Sequence, residues 1–207
     1  MNTDPADLTL DELRPLLARR IPVHAAFDGW GERAIHSAAA DLGIDTGVAR
    51  LVFAGDRVAM IDAWFSAIDE EMLAACPPEM LHTLKIRERI ARLVETRLEL
   101  ILPEREALRR AVAILAAPGN VARGLQLGWR SADVMWRAAG DTATDYNHYT
   151  KRAILAGVYA ATIATFLDDE SEGLSESKAF LARRIDGIMR FEKAKARWTG
   201  QGERGFS

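Results

Sequence analysis

Apolar residues recur along this chain at intervals of three and four. Ile86, Ile90, Leu93, Val94 and Ile101 form one such series, and Leu181, Ile185, Ile188 and Met189 form another, the spacing that gathers side chains on one face of an α-helix. No segment alternates apolar and polar residues over the length of a strand. The series break where glycine and proline gather, at Gly29 to Gly31, Gly43 to Gly47, Gly55, Pro77-Pro78, Pro103, Pro118-Gly119, Gly140 and Gly173. The pattern predicts an all-α protein of eight or nine helices, over residues 8–26, 31–41, 46–54, 56–75, 79–101, 104–116, 119–138, 145–167 and 175–197. There is no internal repeat, and residues 200–207 read as a frayed tail.

The helix over 145–167 carries two apolar stripes. Ala153, Gly157, Ala160 and Ala164 make a smooth one that lets another backbone come close, while Leu155, Tyr159, Thr162 and Phe166 make a bulky one elsewhere on the cylinder. Two stripes call for two packing partners. One is expected to be the same helix of a second copy, with residues 175–197 completing a four-helix seam across a two-fold axis. The first turn of this helix, in GDTATDYNHYTKR, crowds charged, amide, imidazole and phenol groups together and extends past that seam towards solvent.

Composition sets bounds. With 207 residues and 49% hydrophobic content the chain has material for one substantial core. Cys76 is the single cysteine, so an internal disulfide is excluded and a reducing cytoplasm is the expected setting. The first twenty residues carry Asp4, Asp7, Asp11 and Glu12 and lack a basic start followed by an apolar run, which argues against a signal peptide. The longest uncharged run, residues 153–167, covers as a helix only about 22 Å of a hydrocarbon layer roughly 30 Å thick. A net charge of -3 argues against a phosphate-seeking protein.

In AAADLGIDTGVARLVFAGDRVAMIDAWF a helix ending at Leu42, a turn at Gly43 and a short helix opening at Asp45 or Thr46 have the dimensions of a helix-turn-helix. With Gly43, Gly47 and Phe53 this resembles the N-terminal part of TetR-type regulators, whose following long helices form a ligand-binding and dimerising body. The resemblance implies a TetR-like fold, with a helix-turn-helix-like part at 1–55, a bundle at 56–199 and the tail at 200–207. The chemistry for reading DNA departs from that pattern. Residues 31–57 set Arg33, Arg50 and Arg57 against Glu32, Asp41, Asp45 and Asp56, and an acidic head forgoes the phosphate neutralisation behind most DNA affinity. The expectation is no nucleic-acid partner, with a ligand-responsive regulator as the alternative.

The bundle has the makings of a container. Trp64, Phe65, Ile68, Met72 and Leu73, the stripe from Ile86 to Ile101 with Leu93, and Leu125, Leu127, Trp129, Met135 and Trp136 lie on three predicted helices. They suit an apolar cavity, although on periodicity alone ordinary core packing is the favoured reading. Catalytic signatures are missing: there is no glycine-rich phosphate loop, no Gly-x-Ser-x-Gly and no cysteine beside a base in the sequence. Glu79-x-x-His82 and Asp145-x-x-His148 have the spacing used in di-iron bundles, but both fall at helix starts and one substitutes Asp for Glu. The histidines are therefore read as caps or surface groups, and no metal or other cofactor is expected.

The run WRSADVMWRAAGDTATDYNHYTKRAILAGVYAATIATFLDDESEG, with FLARRIDGIMRFEKAKA after it and FDGW and KIRERI before it, resembles the ubiquinone-biosynthesis accessory family, the ninth protein of the coenzyme Q pathway in its alpha-proteobacterial form. The resemblance implies a non-enzymatic, homodimeric, TetR-like protein that binds lipid, either an isoprenylated quinone intermediate or a phospholipid. It also implies docking onto a membrane-bound demethoxyubiquinone hydroxylase through positions matching Asp133, Met135, Trp136, Asp145, His148, Tyr149 and Arg152. Animal relatives carry tryptophan at the position of His148. Trp64, Phe65, Ile68, Met72, Leu93, Leu125 and Trp129 are the expected lipid-contacting set.

Tyr149 and Arg152 suit an interface one turn apart on a helix, and Asp145 suits a helix cap equally well. Asp168, Asp169, Glu170 and Glu172 read as a solvated loop. Mitochondrial relatives carry a further amphipathic helix, whereas this chain ends ten residues after Arg197. Peripheral contact with the inner membrane is therefore expected from residues 190–198, with Lys193, Lys195, Arg197, Phe191 and Trp198, or from the basic stretch Lys85 to Arg110.

Overall fold

Thr9 starts the first long helix, α1 (Leu10–Asp28), with a capping box in which its hydroxyl accepts from the Glu12 N–H and the Glu12 carboxylate accepts from the Thr9 N–H. The computed structural model describes residues 5–142 and 146–187. Helix α1 stops at Gly29, whose φ of 76° suits glycine, and the turn delivers Trp30 into the core. Helix α2 (Glu32–Leu42) stops on Gly43 in the left-handed region, φ 67°, with the Ile44 N–H returning to the Ala39 carbonyl at 2.9 Å. Asp45 then caps α3 (Thr46–Phe53) by accepting from the Val48 N–H at 3.0 Å. This is the helix-turn-helix read from the sequence, with its ends within a residue or two of the expected ones.

Asp56 caps α4 (Arg57–Ala75), accepting from the Val58 and Ala59 N–H groups at 2.9 and 3.2 Å. Val58, Met60, Ile61, Trp64, Phe65, Ile68 and Met72 are all buried, too many for one face of a helix. The reason is position, because α4 packs against α1 on one side and against the helices that follow on the others.

The single helix expected over 79–101 is two. Helix α5 (Pro78–His82) gives way at Thr83, and α6 (Ile86–Ile101) restarts after Lys85, whose ψ of 153° is extended. Arg89 makes the break tenable, donating from Nε to the Leu84 carbonyl at 2.9 Å and from one terminal nitrogen to the His82 carbonyl at 3.3 Å. Its other terminal nitrogen reaches the Ala139 carbonyl at 2.9 Å, so the carbonyls freed by the interruption and by a helix end have donors.

A 3-10 turn at Leu102–Glu104 leads into α7 (Arg105–Ala116), followed by α8 (Val121–Ala138), α9 (Tyr146–Leu167) and, after a second 3-10 turn at Glu172–Leu174, a helix α10 described over residues 175–187. The expected end of that helix, the basic positions Lys193, Lys195 and Arg197 with Phe191 and Trp198, and the tail lie outside the described residues, as does Asp145. Among the described residues no strand occurs, and no helix is long and apolar enough to cross a membrane.

The two stripes of α9 separate cleanly. Leu155, Tyr159, Thr162 and Phe166 are buried, packed against α8, α7 and α6, whereas Ala153, Gly157, Ala160 and Ala164 are exposed. One core runs through the whole bundle and into the N-terminal helices. Trp30 joins them, its indole N–H donating to the Ala107 carbonyl at 2.9 Å and its ring lying 5.3 Å from Trp64.

The acidic loop after α9 is only partly solvated, which corrects the sequence reading. Asp168 is exposed, but Asp169 is buried and accepts from both the N–H and hydroxyl of Ser171 and of Ser177. Burial alone pushes its carboxyl upward, yet these four bonds hold it well below the usual carboxylate range. Asp169 therefore ties the end of α9 to the start of α10.

Candidate functional site at the α8 and α9 corner

The last turns of α8 meet the first turns of α9 through a set of ion pairs. Arg152 is 1% exposed, and its Nε donates to Asp133 at 2.5 Å while a terminal nitrogen donates to Asp141 at 3.0 Å and to the His148 carbonyl at 3.1 Å. Lys151 completes the pairing of Asp141 at 2.6 Å, and Asp133 also holds Arg137 at 2.7 Å. Burial tends to raise the Asp141 carboxyl, but hydrogen bonds from Lys151 and Arg152 outweigh it and keep the group below its ordinary value. The clasp holds Asp141, just past the end of α8, against the early turns of α9.

Over this clasp lies an aromatic layer. The Trp136 indole N–H donates to the Lys151 carbonyl at 3.0 Å, and the Lys151 ammonium sits 5.5 Å from the Trp136 ring. Tyr149, 61% exposed, stacks on Trp129 with ring centroids 6.0 Å apart and an interplanar angle of 30°, and His148 meets Tyr149 edge-on at 5.1 Å. A tyrosine that is mostly in water yet held by a neighbouring ring is preorganised for contact, because little side-chain freedom is left to lose.

The structure thus divides the docking positions expected from sequence. Tyr149, His148, Trp136 and Asp133 reach the surface of this corner, whereas Met135 and Arg152 are buried beneath it. Arg152 is not an exposed anchor; it is the support on which the exposed residues rest. The expected lipid-contacting residues also divide. Trp64, Phe65, Ile68, Met72 and Leu93 lie together in the core, but Leu125 is 71% exposed and Trp129 half-buried on the outer side of α8, beside Tyr149.

Sequence reasoning missed the polar cluster inside that core. Arg97 is fully buried, donating from Nε to the Tyr159 hydroxyl at 2.7 Å and from one terminal nitrogen to Asp69. Burial pushes the Asp69 carboxyl up, against the pull of Arg97. The signal was present in the register: Arg97 stands between Leu93 and Ile101 at spacings of four, an apolar core position occupied by a charge. It also removes Arg97 from the basic stretch proposed to face a membrane.

Two charges of the helix-turn-helix, Arg50 and Asp56, are paired within the chain. Arg50 of α3 pairs with Glu32 at 2.8 Å, and Asp56, besides capping α4, receives Arg123 of α8 at 2.7 and 3.1 Å. Among the described residues no group of three or more histidine, cysteine, aspartate or glutamate side chains has a metal-holding arrangement.

These features define an all-helical protein of TetR-like fold with an aromatic and ionic corner on its bundle. A solved structure of a TetR transcriptional regulator from Nitrosomonas europaea superposes with a TM-score of 0.67 at 22% identity, covering 84% of this chain and 96% of that one. The family model COQ9 matches residues 121–192, the segment from α8 onward. The mitochondrial ubiquinone biosynthesis protein COQ9 of Rattus norvegicus is 31% identical over 176 residues, and that of Bos taurus 30% over 184, covering 78% and 82% of this chain. The chain belongs to the COQ9 family. It spans about half the length of those relatives, 54% in each case.

Proposed function

We propose that this protein is a non-enzymatic accessory factor of ubiquinone biosynthesis, a homodimer that takes an isoprenylated quinone intermediate into its helical bundle. It presents that intermediate to a demethoxyubiquinone hydroxylase at the face of the inner membrane. The relatives named for ubiquinone biosynthesis support the pathway, and the family match runs through α8 and α9. The observation that carries the docking role is the corner itself: exposed Tyr149 stacked on Trp129, with His148 beside it, standing on a buried ionic clasp. Rigid aromatics of this kind supply most of the energy in protein interfaces. The apolar side chains of α4 and α6 give an isoprenoid tail its environment, at about 0.8 kcal/mol per buried methylene. The exposed smooth stripe of α9 offers the surface for a second copy.

The alternative of a ligand-responsive DNA-binding regulator draws on the fold alone. Arg50 and Asp56 are engaged with Glu32 and Arg123, an arrangement that favours packing over phosphate contact. The deciding experiment is lipid mass spectrometry on the purified protein together with capture of a membrane hydroxylase. Prenylated quinone recovered with the protein, and a hydroxylase retained by wild type but released by Tyr149→Ala, is the expected result. Empty protein that retains no hydroxylase and shifts duplex DNA in a salt-dependent manner would select the regulator.

A further inference from the structure

Arg97 has no exposure to solvent, yet one terminal nitrogen of its guanidinium has no hydrogen-bond partner. A guanidinium carries five N–H donors and does not lose its proton in proteins. Leaving one arm of a buried charged fork unmet is costly, and buried donors are almost always satisfied. The neighbourhood is built with care in other respects. Nε is taken by the Tyr159 hydroxyl, the second terminal nitrogen by Asp69, and the guanidinium carbon lies 5.6 Å from the Phe65 ring and 5.4 Å from the Tyr159 ring.

Three helices meet at this point. Asp69 and Phe65 come from α4, Arg97 from α6 and Tyr159 from α9. Phe65 precedes Asp69 by four residues and Leu93 precedes Arg97 by four, so each polar group lies one turn along from an apolar side chain on the same helix face. Phe65 and Leu93 thereby set apolar surface within one turn of the guanidinium that carries the orphan nitrogen. We infer that Arg97 is the anchor for the head of the bound ligand, donating its free terminal N–H to an acceptor oxygen of an amphiphile.

The charge balance selects the head. Asp69 already neutralises Arg97, so a phosphate would leave an uncompensated negative charge in the core, whereas a neutral carbonyl adds none. A benzoquinone carbonyl fits, and its flat ring suits the Phe65 and Tyr159 faces. This assignment rests on the lipid-binding reading above and names the group that recognises the ligand's polar end.

The test uses the full chain and three probes of matched tail length: a short-chain prenylated benzoquinone, a saturated isoprenoid hydrocarbon, and a lysophospholipid. Tryptophan fluorescence reads affinity and infrared spectroscopy reads the quinone carbonyl stretch. Wild type is expected to prefer the quinone over both other probes by about tenfold, the worth of one hydrogen bond, with the carbonyl band moved to lower frequency. Arg97→Lys keeps a charge beside Asp69 but removes the second terminal nitrogen, and it should lose both the preference and the shift while binding the hydrocarbon unchanged. If that variant does not fold, Tyr159→Phe retains the orphan nitrogen and should retain the shift. Loss of the shift in Tyr159→Phe, or its survival in Arg97→Lys, overturns the assignment, as does equal binding of quinone and hydrocarbon by wild type. Tighter binding of the lysophospholipid overturns the carbonyl head. Failure of all three probes to bind removes the lipid reading itself.

Discussion

Arg152 and Tyr149 are three positions apart on α9 and have opposite fates. Arg152 is sealed between Asp133 and Asp141, while Tyr149 stands in water against Trp129. Arg152→Ala takes one of two cationic partners from each of Asp133 and Asp141, which keep Arg137 and Lys151, a loss of about 1–3 kcal/mol, and should appear as a fall in Tm. Tyr149→Ala should change stability by less than about 1 kcal/mol while weakening hydroxylase capture. A similar fall in Tm for both variants would place Tyr149 in the structural clasp as well. Acid should act on the same groups. Asp141 and Asp169 have folded-state values lowered from 3.8, so their contribution is complete above the unfolded value and is lost as pH falls below about 4. Denaturant melts between pH 7 and 3 should show a decline confined to the acid end. Asp169→Asn should flatten that decline while lowering stability at neutral pH. The burial of Arg152 was not legible in the sequence, because it depends on Asp133 and Asp141, which approach only when α8 and α9 pack. The same holds for Asp169, which looks like one of four acidic loop residues until Ser171 and Ser177 close on it.

Element by element, the chain announced itself well. Helix starts at Thr9, Asp45 and Asp56 and the stop at Gly43 follow from capping chemistry written in a few adjacent residues. The division of α5 from α6 was less visible, since Thr83, Leu84 and Lys85 contain neither glycine nor proline and the break is held open by Arg89 reaching a different helix. Helix α9 carries the element-scale prediction. A Cβ at Gly157 meets nothing within 4 Å, so Gly157→Leu should leave the single chain folded and its helix content unchanged or higher. If the smooth stripe of α9 is the seam between copies, that bulk should convert dimer to monomer in sedimentation equilibrium. A Gly157→Leu protein that remains dimeric would move the seam elsewhere.

At the scale of the whole molecule, the helix-turn-helix and the bundle share one hydrophobic core. Trp30, from the turn between α1 and α2, inserts against Trp64 and bonds to α7, and Arg123 of α8 reaches back to the cap of α4. Removing the indole by Trp30→Ala should cost about 3–5 kcal/mol. Circular dichroism and tryptophan fluorescence should then report one coincident unfolding transition at lower denaturant. A separate early transition for the N-terminal helices would contradict this coupling. Such coupling makes the helix-turn-helix one packing unit with the bundle, with Arg50 and Asp56 paired within the chain.

The sequence by itself determined the helical class, the ends of most helices, the helix-turn-helix, the two stripes of α9 and the family, since each is recorded in local spacing or in a contiguous motif. Which stripe of α9 faces inward, which arginine is a support and which tyrosine is offered to solvent were decided only by the tertiary structure. The physical reason is that burial belongs to pairs of distant segments: Arg97 meets Asp69 and Tyr159 across 28 and 62 residues of chain. No window of sequence holds both partners of such a contact.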